Sequence, residues 1–165
     1  MVVLKTSREL AKMREAGRIS ANALKLAGQA VEPGVSTAEI DRVVRRYIEG
    51  QGAKPSFLGY GGFPASACIS VNDEVVHGIP SKKRILKSGD IVSIDVGAFI
   101  DGFHGDNAWT FACGDISAEA QGLLDATKES LYEGIKQAVA GNRIGDIGSA
   151  VQQYVEARSY SVVRD

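Results

Sequence analysis

The stretch IVSIDVGAFIDGFHGDNAWTF, residues 91–111, constrains the fold of this chain more than any other part of it. Two runs of strand-forming residues flank Ile100-Asp101-Gly102, and Asp-Gly between such runs is a strong hairpin signal, because the tight turns that join antiparallel strands need positive φ at their centre. With the turn centred between Ile100 and Asp101, Asp95 and Asp106 fall directly opposite each other on one face, with Cβ atoms roughly 5 Å apart. The other face then carries Ile94, Val96, Trp109 and Phe111 as its core side.

Two carboxylates so close on a sheet with an apolar back repel each other, and something must neutralise them. Three readings stay open from spacing alone. The pair can hold divalent metal ions through oxygen ligands, it can share a proton as an acid pair, or it can be two solvated aspartates on an exposed hairpin. His77 in VVHGIP is the other polar residue in an apolar setting, and it has a structural reading beside a catalytic one. His104 shares the inferred face of Asp106 with the same ambiguity. Cys68 reads most simply as a small buried apolar residue.

The segments around the hairpin are helical before it and after it. Thr6-Ser7-Arg8-Glu9 has the form of a capping box. Leu10, Met13, Gly17, Leu24, Ala27 and Val31 then recur at helical spacing, which predicts one helix to about Ala30, stopped by Glu32-Pro33-Gly34. Ser36-Thr37-Ala38-Glu39 is a second capping box, opening a shorter helix with Ile40, Val43, Val44, Tyr47 and Ile48 on its apolar side and ending at Gly50 and Gly52. From Pro55 to Pro64 the chain is rich in Gly and aromatics, and SACISV, EVVHG, IVSIDVGAFI and FHGDNAWTFAC read as strands. Ser117 caps a further helix running to about Ala140, with Leu123, Leu124, Leu131 and Ile135 as its apolar side. Asp146 starts another through Arg158, and YSVV opens a final strand.

Gln29-Ala30-Val31 recurs as Gln137-Ala138-Val139, and Tyr47-Ile48-Glu49 as Tyr154-Val155-Glu156, an echo at an offset of about 107 positions. Each copy is a long helix, a Gly-containing turn and a shorter helix. The chain reads as one and a half units of a two-unit protein.

Composition excludes several classes. The 165 residues are 44% apolar and 24% charged, an ordinary globular mix for one domain, and 19 Lys and Arg against 20 Asp and Glu leave no basic stripe for DNA. No apolar run is long enough to span a membrane, and MVVLKTSRELAK lacks the apolar core of a secretory signal. Cys68 and Cys113 match no zinc or redox spacing and read as free thiols, which points to a cytoplasmic protein.

SACISVNDEVVHGIP followed by LKSGDIVSIDVGAFIDGFHGDNAWTF resembles the first half of the type I methionine aminopeptidases, which remove the initiator Met of nascent chains and peptides. The GYGGFP loop, the His motif and the aspartate spacing occur together and in order, and the resemblance covers essentially the whole chain. HGIP favours type I over the type II and proline-specific relatives. The resemblance implies an α/β (α+β) pita-bread fold, an antiparallel sheet with flanking helices, with a first half over about residues 1–114 and the start of an incomplete second, pseudo-symmetric half over about 115–165. It implies two divalent ions (Co, Mn, Fe or Zn) with Asp95 and Asp106 among their ligands. His77 would be the catalytic contact to the substrate amide, and Tyr60, Phe63 and Cys68 would line the pocket for the Met side chain. The loop Phe57 to Phe63 carries an aromatic where some members have Cys, and Phe63 where others have Tyr.

The family completes its site with a His and two Glu, plus a second His near the substrate, and no residue after Asp106 resembles these. Ser159 also replaces a Gly usual before the final strand. The expectation is therefore of weak or partial metal binding, little or no activity from this chain alone, an unpaired sheet edge, and self-association through the surface so exposed. The alternative is a non-catalytic pita-bread chain acting as a binding or regulatory short form. The intact Asp95, Asp106 and His77 argue against that decay.

Overall fold

A computed structural model describes residues 3–163 of the chain, which form two compact units divided after Ile116. In the first unit, helix α1 (Ser7–Gln29) begins at the expected cap: the Glu9 carboxylate accepts the Thr6 N–H at 2.7 Å, and Thr6 Oγ1 accepts the Glu9 N–H at 3.3 Å. Leu10 and Met13, expected on its inner stripe, are more than a third exposed. The buried face starts at Ala16 and continues through Ile19, Ser20, Ala23, Leu24 and Ala27. Helix α2 (Thr37–Gly50) buries Ile40, Val44 and Ile48 completely. Its Glu39 carboxylate takes both the N–H and the hydroxyl of Ser36.

The sheet is antiparallel throughout. Strand β3 (Ile91–Ile100) is central, with β4 (Phe103–Ala112) along one side and β2 (Ala67–Val71) and the short β1 (Lys54–Pro55) along the other. Among the described residues β4 has no second strand partner and forms an edge. Val92, Ile94, Val96 and Ala98 of β3 and Ala67, Ile69 and Val71 of β2 point to one face and join α1 and α2 in the core. Trp109, expected among them, remains 40% exposed, whereas Phe111 lies half-buried against that core, with its ring where a Cβ on Gly28 would be.

The hairpin register differs from the sequence reading by two residues. Asp101 (φ 52°) and Gly102 (φ 85°) are the two central residues of the turn, so Ile100 pairs with Phe103. Asp95 then stands opposite Ala108, and Asp106 opposite Gly97. EVVHG is not a strand. The Glu74 carboxylate takes the Val71 N–H to close a turn, and Val75 and Val76 lie 64% and 65% exposed beyond it.

In the second unit Ser117 caps α3 (Ala118–Lys136) through the Ala120 N–H. The helix stops short of Ala140, closed by the Asn142 side chain bonding the Gln137 carbonyl and by Gly141 at φ 97°. Helix α4 (Ile144–Glu156) begins two residues before Asp146, whose carboxylate takes the Arg143 N–H at 2.6 Å. The face buried on α3 is Ala126, Ser130 and Gly134, and not the expected Leu123, Leu131 and Ile135, which are 39%, 48% and 55% exposed. Small residues let the helices approach closely: a Cβ on Gly134 would lie 2.9 Å from Val151 Cγ2. The final strand expected at YSVV is absent: among the described residues, 160–163 pair with no strand. Ser159 adopts φ 64°, in the left-handed region that favours glycine.

One of the close contacts in the first unit is backbone on backbone. A Cβ on Gly105 of β4 would lie 2.2 Å from the Ala16 carbonyl carbon in α1. Gly105→Ala is expected to lower stability by about 3 kcal/mol in urea denaturation, because neither backbone can yield without moving a whole element.

Candidate functional site

The sheet face turned away from the helices carries the polar residues. Asp95 on β3 lies between Cys68 of β2 and Ala108 of β4, and Asp106 lies one ladder step along, opposite Gly97. A shift of two residues preserves the face, so the two aspartates remain neighbours, but diagonally and not directly across. Asp106 is exposed, whereas Asp95 is only half so. Among the described residues Asp95 Oδ1 is buried without a hydrogen-bond partner. Burial first, and then the Asp106 carboxylate beside it, push the Asp95 carboxyl up to about 6, partly offset by the nearby His77.

His77 is exposed and holds φ 60°, a conformation that non-glycine side chains rarely adopt and that recurs at functional sites. The next residue explains how it is held. Gly78 lies against the backbone of β2: its carbonyl accepts the Ile69 N–H at 2.9 Å, and its N–H donates to Ser70 Oγ at 3.1 Å. A Cβ on Gly78 would sit 2.2 Å from the Ile69 oxygen, so only glycine allows this approach. The loop that carries His77 is thereby fastened beside the strand that carries Cys68.

Phe57, which opens the aromatic loop that the resemblance placed at the pocket, also reaches the site. Its ring and Ser56 rest on Gly97, where a Cβ would meet Ser56 Cβ at 2.7 Å and Phe57 Cε1 at 2.8 Å. Gly97 is the residue opposite Asp106, so the aromatic ring lies over the aspartate pair's own stretch of sheet. The readable trace is the glycine within a strand, which marks close approach of another segment. His104, by contrast, has structural partners: its Nδ1 is 2.9 Å from Ser56 Oγ, and its ring lies 4.6 Å from that of Phe99.

Of the three expected pocket residues, Tyr60 is 81% exposed in a short turn, Phe63 is half-buried, and Cys68 is buried. Burial, with Asp95 and Asp106 nearby, raises the Cys68 thiol to about 11, which leaves it an inert apolar group. Both cysteines are free thiols, as expected.

Chemically, this face offers two adjoining carboxylates, one with an unsatisfied buried oxygen, backed by an apolar layer. Hard divalent cations suit such oxygens, and a cation would both neutralise the pair and satisfy Oδ1. Among the described residues no third His, Cys, Asp or Glu completes a metal-binding group around them.

Residues 11–165 match metallopeptidase family M24. The chain belongs to this family. It is 51% identical over 165 residues to the methionine aminopeptidase of Clostridium acetobutylicum, covering all of this chain and 66% of that protein. Methionine aminopeptidase 1 of Bacillus subtilis is 52% identical with the same coverage. The crystal structure of methionine aminopeptidase from Rickettsia prowazekii superposes with a TM-score of 0.97 at 39% identity, covering all of this chain and 66% of that one. The M24 pita-bread fold expected from the sequence is therefore present. The chain spans just under two thirds of the length of these relatives.

The raised Asp95 carboxyl has a consequence for stability. Its folded value of about 6 lies above the ordinary 3.8, so the folded state binds the proton more tightly. Stability from this group is complete below pH 3.8 and is lost as the pH rises through 6. In metal-free buffer, Asp95→Asn is expected to be more stable than the parent by about 1.5 kcal/mol at pH 7.5, after allowance for the half-exposed carboxylate. The difference should vanish at about pH 3.5 in thermal unfolding.

Proposed function

We propose that this chain contributes to a methionine aminopeptidase that removes the N-terminal Met of peptides and nascent chains in the cytoplasm, with Asp95 and Asp106 as ligands of two divalent ions. The observation that carries this reading is the pair itself: two carboxylates on one sheet face, one with a buried and unpartnered oxygen, in a chain about half identical to methionine aminopeptidases. Divalent ions held there would supply Lewis acidity toward a carbonyl oxygen and a nucleophile at neutral pH.

The chain's own residues have distinct tasks. Asp95 and Asp106 present oxygens from strand backbones, which are rigid supports for ligand geometry. His77, fixed by Gly78 and Ser70 and close enough to Asp95 to influence its charge, donates to the charge that develops on the substrate amide. Tyr60, Phe63 and Cys68 form the mainly apolar seat of the thioether side chain, with Phe57 closing one side over Gly97. A soft, flexible methionine suits a pocket of aromatic and sulfur surfaces.

Two carboxylates are too few ligands to hold two divalent ions firmly, so the chain alone is expected to release no Met above an Asp95→Ala control. Joined in frame to the unmatched remainder of the Bacillus subtilis relative, it is expected to release Met from Met-Ala-Ser with Mn(II) or Co(II). His77→Ala should lower that rate by about 100-fold, and Asp95→Ala should abolish it. A folded, metal-saturated fusion that releases no Met overturns the reading and favours a non-catalytic binding chain.

Self-association is the second part of the proposal. The open edge of β4 supports it, as does the exposed row Leu123, Leu131, Tyr132 and Ile135 on α3. Light scattering is expected to show mass rising with concentration, and a constant monomer mass would exclude it.

A further inference from the structure

Asp106 sits on an edge strand, on its exposed face, and its two chain neighbours point the other way, into α1. Gly105 presses backbone to backbone on Ala16 and Gly17. Asn107 donates from Nδ2 to Ser20 Oγ at 2.6 Å and to the Gly17 carbonyl at 3.3 Å. Ser20 is fully buried in α1, and its hydroxyl donates in turn to the Gly17 carbonyl at 3.1 Å, which leaves its oxygen free to accept from Asn107. The three groups form a closed polar contact behind the aspartate.

An asparagine here is a costly choice on packing grounds. Its partner across the ladder is Val96, fully buried, and the row around it is apolar. A polar amide at such a position costs free energy unless bonded, and a small apolar side chain would fill the place without that demand. What the amide adds is direction. Apolar contacts tolerate sliding, whereas a short hydrogen bond to one hydroxyl fixes where along α1 the strand stands. Among the described residues β4 pairs only with β3, whose ladder and turn set its register along the sheet; the Asn107 amide adds a directional tie between that strand and α1.

We propose that Asn107 is a positioning residue. Through Ser20 of α1 it holds β4 so that the Asp106 carboxylate stays beside Asp95. The inference rests on the reading of the two aspartates as a metal pair, and it adds that this pair's geometry is set from the opposite side of the sheet. The residue touches neither substrate nor metal and acts only through Asp106.

The test compares the whole chain with Asn107→Ala, Ser20→Ala and the double variant. Mn(II) uptake is followed by electron paramagnetic resonance of the free ion, and amide exchange by NMR. Each single variant is expected to bind Mn(II) at least tenfold more weakly. The double variant should be no weaker than the worse single, since both remove one contact. Amide protection at residues 105–107 should fall tenfold while that at 92–94 is kept, which separates a local displacement from general destabilisation. Asn107→Ser, which keeps a shorter donor, should fall between parent and Ala, and it supplies the same readouts if Asn107→Ala does not fold. Unchanged Mn(II) affinity in folded single variants overturns the proposal, as do losses that simply add in the double. A parent chain that takes up no Mn(II) defeats the metal reading instead. The positioning role is then decided by NMR alone: an Asp106 carboxyl carbon and amide at parental shifts in Asn107→Ala would refute it, and displaced shifts confined to residues 105–108 would uphold it.

Discussion

Strand β4 is counted from the left-handed pair Asp101–Gly102, and nearly every feature of the first unit follows from that count. With Ile100 paired to Phe103, Gly105 faces the backbone of α1 at Ala16, where any larger residue would collide. The same count sets Asp106 opposite Gly97, the one position on β3 bare enough to accept Ser56 and Phe57. A slip of one residue would turn the aspartate into the core and bring a side chain against α1. Turn, helix contact and site therefore depend on a single register.

The sheet divides its work by face. Behind it, α1 contributes Ala16, Ala23 and Ala27 as well as Ile19, so that the helix lies close on β3 and β4. In front, the strands carry short polar groups, among them Ser93 bonded to Thr110 at 2.8 Å, and loops cover them in place of a helix. Gly78 lies against the backbone of β2, and Gly97 accepts the Ser56 and Phe57 side chains against β3. Asp41 of α2 reaches past the sheet's end to take the N–H groups of Ser66 and Ala67, which fixes the start of β2 just ahead of Cys68. Rigid strands and short, fastened loops give a site whose parts are placed by backbone contacts more than by side-chain packing.

Helix starts were legible because capping is local: Thr6 with Glu9 and Ser36 with Glu39 are three residues apart, and their chemistry needs nothing from the rest of the chain. The hairpin was legible too, but its centre was not, since Asp-Gly can be the second and third residues of a turn or straddle its edge. EVVHG misled because two valines in sequence suggest a strand, whereas the turn that Glu74 closes at Val71 leaves both valines exposed and only Gly78 bonded to β2. The helix seam of Ala126, Ser130 and Gly134 was hidden beneath the stronger pattern of leucines on the outer side. At the site, Asp95, Asp106 and His77 stood out by chemical type. Phe57 was legible only as part of an aromatic loop and Asn107 not at all, because their contacts with Gly97 and Ser20 join residues far apart in the chain.

The left-handed His77 and the buried, unpartnered Asp95 oxygen share a property beyond their chemistry. Each makes the folded chain less comfortable than a plainer residue would, glycine at one position and an uncharged side chain at the other. Selection for heat resistance alone, with no demand on activity, would therefore erode the site first and the fold last.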